Sequence, residues 1–110
     1  MLGRLMKQTQ NTTNCELFMI ENFKTLIKEY KNFSIKYEYN QQRKRLLVSY
    51  ISKEYIFNNE DLLQKINKIE DKLKFKFNNY PLFCYDENLF KLSNNARELN
   101  YNNISDWIIN

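Results

Sequence analysis

From Phe33 to Tyr39 the chain reads FSIKYEY, with Phe33, Ile35, Tyr37 and Tyr39 at every second position and Ser34, Lys36 and Glu38 between them. An extended strand, whose side chains alternate between two faces, gathers those apolar groups on one side. The polar run Asn40 to Lys44 then reads as a turn. Arg45 to Ile51 (RLLVSYI) reads as the returning strand, apolar on both faces as a more central strand is.

On both sides of this hairpin the period changes. From Glu16, residues Leu17, Ile20, Phe23, Leu26, Ile27 and Tyr30 recur at helical spacing, with Asn14 placed to cap the helix. Leu62, Leu63, Ile66, Ile69 and Leu73 form a second helical stripe, opposite Gln64, Lys65, Lys68 and Lys72. Asn58 or Asn59 precedes it as cap, and Glu60 and Asp61 complement the helix dipole in its first turn. A short third strand is expected around Tyr55–Phe57, and alternation resumes over Lys74–Phe77 (KFKF). Leu82–Tyr85 and Leu89–Leu92 flank a polar turn and read as a second hairpin. Short helical segments over Asn94–Leu99 and Asn103–Ile109 close the chain, separated by Asn100, which tolerates a left-handed cap.

The order, approximately α-β-β-α-β-β-α, predicts an α+β fold: a single two-layer domain with a mostly antiparallel sheet and helices on one face. With 110 residues there is room for one core, and 43% hydrophobic residues suffice to fill it. Residues 1–14 are polar, lack a periodic pattern and are expected as a flexible or partner-held tail; residues 15–110 form the domain.

Asn, Lys, Ile, Phe, Tyr and Met make up about half of the chain, which points to an A+T-rich genome. Lysine is inflated by that bias, so the net charge of +4 is a weak sign of an anionic partner. No apolar run approaches the roughly 18–20 residues that span a bilayer. Met1–Met6 leads into polar residues without the apolar stretch of a secretory signal. Cys15 and Cys84, far apart, read as two free thiols. An intracellular setting, cytoplasmic or organellar, is expected, with no membrane partner.

Histidine is absent, which removes the commonest general base and metal ligand. Gly3 is the only glycine, so no phosphate-cradling loop can form. The carboxylate pairs Glu60-Asp61, Glu70-Asp71 and Asp86-Glu87 are adjacent in sequence. On a helix, neighbours point about 100° apart and do not converge on one reacting atom. No catalytic residue, metal ligand or cofactor is assigned.

Two surface features remain. Arg43-Lys44-Arg45 places two of the four arginines at the hairpin tip, with Lys36 on the neighbouring strand and Tyr37, Tyr39 and Tyr50 close by. Guanidinium groups beside stackable rings suit single-stranded RNA or a phosphate backbone; a solvated turn over a tyrosine core is the plainer alternative. At the C-terminus, Tyr101, Ile104, Trp107 and Ile108 are assigned to a partner surface, with closure of the domain's own core as the alternative. Ala96, Leu99, Asn100 and Ile104 also resemble a helix-turn-helix, over less than a fifth of the chain and with a shortened second helix.

These features add up to a non-enzymatic binding or assembly protein. It is read as a component of a larger complex with a protein partner, RNA being the favoured nucleic acid and DNA less so. The alternatives are a DNA-binding regulator with a degenerate helix-turn-helix and a small phage-encoded inhibitor of a host nucleic-acid enzyme.

Overall fold

The structure, a computed structural model, describes residues 2–85 and 92–106, with side chains over 14–85 and 92–105. Helix α1 (Leu2–Glu29) leads into the hairpin of β1 (Ser34–Asn40) and β2 (Arg45–Ile51). A short helix α2 (Lys53–Phe57) and the long α3 (Glu60–Lys76) follow, then β3 (Pro81–Cys84), β4 (Arg97–Leu99) and a 3-10 turn at Ile104–Asp106.

The hairpin register is regular from Ser34↔Ile51 to Asn40↔Arg45. Strand β3 adds to β2 in parallel and β4 adds to β1 antiparallel, giving the order β3-β2-β1-β4. The sheet is mixed and mostly antiparallel, and the fold is α+β, as the periodicities require.

Alternation sends Ile35, Tyr37, Leu46, Val48, Tyr50 and Leu99 to one face. There they meet Cys15, Met19, Phe23 and Ile27 of α1 and Leu62, Ile66, Ile69 and Leu73 of α3 in a single core. Helix α3 starts where its cap predicts: Asn59 Oδ1 accepts from the Leu62 N–H at 3.1 Å.

Several segments differ from expectation. Helix α1 begins at Leu2, so the polar stretch expected as a tail is helical in its backbone, and Asn14 lies inside the helix rather than capping it. Leu, Arg, Met, Lys and Gln there favour a helix, and extending a nucleated helix needs no apolar stripe. The segment around Tyr55–Phe57 is helix, not strand: Ser52 (φ 63°) turns the chain and Ile56 is buried against the core. Lys74–Lys76 extend α3, because Leu73 and Phe77, four residues apart, fit a helical face as well as Phe75 and Phe77 fit a strand. Phe75 is 93% exposed as a result. The helix stops at Asn78 and Asn79, both left-handed, with the Asn79 N–H donating to the Lys74 carbonyl at 2.8 Å.

Strands β3 and β4 lie on opposite edges and do not pair with each other, so they form no second hairpin. The Leu89–Leu92 strand assigned to it lies almost wholly outside the described residues.

Candidate functional site

The hairpin tip is built by its first and last paired residues. Asn40 Oδ1 accepts from the Arg43 N–H at 2.8 Å, fixing the turn over residues 41–44, and Lys44 closes it with a left-handed φ of 53°. Arg43, Lys44 and Arg45 are all exposed. Three consecutive cations therefore stand on a turn whose backbone is held by an Asn side chain.

The rest of the expected constellation does not assemble. Lys36 is exposed but pairs with Ser49, four positions from the Asn40–Arg45 pair. At about 3.3 Å per residue that is roughly 13 Å along the strand. Tyr37 and Tyr50 are each 1% exposed and belong to the core, so neither can stack on a base; Tyr39, at 37%, is the one ring of the three with free surface. The tyrosines share a face with Ile35, and that face is the buried one.

Beside the tip end of the sheet, a cleft of about 300 Å³ opens where β4 has ended and β1 continues, lined by Glu16, Glu38, Asn95 and Arg97 among others. Arg97 Nη1 lies 4.0 Å from Glu16 Oε1, next to the Tyr37 hydroxyl. Burial, and then Glu16, push Tyr37 ionisation far above the ordinary phenol range. On the cleft's far side the Ser93 N–H and hydroxyl donate to Glu38 at 2.8 and 2.5 Å. With Glu16, Glu38 and Arg97, this cleft carries both signs of charge, unlike the tip beside it.

The C-terminal group also divides. Ile104 is 5% exposed and lies in the domain's own core, not on a partner surface. The turn that carries it is locked by Asn100 and Asn103, each accepting from the other's backbone N–H at 3.0 and 2.9 Å. Tyr101 is exposed, with the Lys31 ammonium 5.2 Å from its ring centre. Trp107 and Ile108 lie outside the described residues. The helix-turn-helix has no first helix, since Arg97–Leu99 is a strand on the β1 edge. An available sheet edge overrode the helical propensity of that segment.

Sequence reasoning passed over a groove of about 590 Å³ between α1 and α3, floored by Leu26 and Ile69. Its charged walls come from Lys65, Lys68 and Lys72, which the sequence places opposite the apolar stripe, and from Glu21 and Glu29 across from them.

Neither Cys15 nor Cys84 is in a disulfide and both are buried; burial followed by Glu16 pushes the Cys15 thiol up to about 12. Among the described residues no three of His, Cys, Asp and Glu are grouped to hold a metal ion. No helix in the described residues is long and apolar enough to cross a membrane. Compared with known protein families, with curated proteins and with solved structures, the chain matches none.

Proposed function

We propose that this chain is a non-enzymatic binding protein that works inside a larger intracellular assembly, and that its hairpin tip contacts the phosphate backbone of RNA. The observation that carries the reading is the tip: Arg43, Lys44 and Arg45 exposed in succession on a turn fixed by Asn40. Arginine pairs with phosphate oxygens through two parallel hydrogen bonds, and a braced turn loses little freedom when it does so. One carboxylate in each of the two acidic pairs on α3 is engaged in the fold, which supports a binding rather than a catalytic role. Glu70 accepts from Tyr50 at 2.7 Å and faces Lys74 at 3.6 Å, and Asp61 pairs with Lys65 at 3.2 Å.

The test is size fractionation of an extract of the producing cells before and after ribonuclease treatment. The protein is expected in a particle far larger than its own 13.5 kDa, and to shift to lower mass when RNA is digested. Elution at its own mass in both runs contradicts the proposal. A large particle indifferent to ribonuclease keeps the assembly and removes RNA as the contact.

A further inference from the structure

We infer that the α1–α3 groove is a self-association surface, and that its occupant is a second copy of this chain. The groove separates its charges: Glu21 and Glu29 stand on the α1 wall, Lys65, Lys68 and Lys72 on the α3 wall. At one end the walls are tied together, with Lys65 Nζ 2.6 Å from Glu29 Oε1. Away from that end Glu21, Lys68 and Lys72 are exposed, and among the described residues they form no ion pair. This leaves one anion facing two cations across an open trough about 590 Å³ in volume.

Such a surface discriminates between partners by sign. A nucleic-acid backbone drawn to Lys68 and Lys72 would lie against Glu21 and Glu29, and like charges across a contact are unfavourable. The groove fits a partner that carries both signs on two parallel ridges. This chain carries them itself. When two copies meet face to face about a two-fold axis running along the groove, the rotation carries the α1 wall of each over the α3 wall of the other. Glu21 then meets Lys68 and Lys72 of the second copy, and the same contact is made twice. A two-fold axis lying across the groove sets acid on acid and base on base. Charge thus selects both the partner and the arrangement, independently of the hairpin tip.

The experiment is sedimentation equilibrium over a range of protein concentrations on four full-length chains: wild type, Glu21→Lys, Lys68→Glu/Lys72→Glu, and the triple exchange combining all three. The wild type is expected as a reversible dimer. Reversing either wall should weaken dimerisation at least about tenfold, because it brings like charges together twice. The triple exchange restores opposite signs and should recover the dimer. Circular dichroism on each chain confirms folding, which exposed substitutions at these positions should leave intact. A wild type that stays monomeric up to about millimolar concentration, an affinity the weakest specific contacts still reach, overturns the inference. So do single-wall reversals that dimerise as well as wild type, a folded triple exchange that remains monomeric, or a dimer that appears only when RNA is added.

Discussion

The hydroxyl of Tyr50 enters the core with its ring and donates to Glu70 Oε2 at 2.7 Å, while the ring lies against Phe83 and Tyr85 with centres 6.1 and 4.6 Å away. Burial, and then the nearby Glu70 carboxylate, hold this phenol neutral well above its ordinary range. Tyr85 is pushed up to about 12 by the same two causes, and Cys15 to about 12 by burial and Glu16. In each case the folded chain keeps a proton that the unfolded chain releases at about pH 8.5 for a thiol and about pH 10 for a phenol. With more protons bound in the folded state, stability must fall as pH rises. The unfolding free energy, and with it the urea midpoint, should therefore decline progressively from about pH 9 to pH 12, the free energy by up to about 1.4 kcal/mol per pH unit for each group engaged. Tyr85→Phe removes one of these groups at little structural cost, because among the described residues its buried hydroxyl has no hydrogen-bond partner to lose. That variant should be as stable as wild type at pH 7 and show a shallower alkaline decline. A midpoint that holds steady through this window contradicts the buried phenols.

Helix α3 is the element whose apolar stripe holds the two layers together. Leu62, Ile66 and Leu73 are fully buried within it, between α1 and the sheet. Ile66→Ala should cost about 2–5 kcal/mol, a large share of the roughly 5–15 kcal/mol that stabilises a domain of this kind, and a urea titration reads the loss directly. An unchanged midpoint would place Ile66 outside the core. This stripe and the β1–β2 hairpin were legible in the sequence because their signals are local: a long helical period, a strict alternation, a capping Asn and a turn. The segments that misled are short. KFKF satisfies either period, and the propensity of Arg97–Leu99 for helix gave way to a sheet edge supplied by β1, about sixty residues earlier in the chain. The parallel pairing of β3 with β2 is likewise set by packing. For the site, the three tip cations were legible as neighbours in sequence. Of the tyrosines near the tip, Tyr37 and Tyr50 follow the plainer reading of a tyrosine core, and parity with Ile35 already placed Tyr37 on the apolar face. The groove could not be read at all, because its walls come from helices that meet only through the tertiary fold.

At the scale of the molecule, one layer of helices covers one face of a four-stranded sheet, and charge is distributed unevenly over the result. The tip offers three adjacent cations, while the cleft beside it and the α1–α3 groove mix both signs. Three of the 17 Lys and Arg residues stand together at the braced tip, so the RNA contact proposed above would depend on few residues. The most direct measurement is the affinity for a single-stranded RNA oligonucleotide as salt is raised from about 50 to 200 mM, compared between wild type and the triple variant Arg43→Ser/Lys44→Ser/Arg45→Ser. Wild type should bind with an affinity that falls steeply with salt, and the variant, equally well folded, should bind more weakly and lose about 0.7 units of log–log slope for each phosphate contact removed. Equal affinity and equal slope for the two proteins, or no binding by wild type even at the lowest salt, would contradict the assignment of the tip.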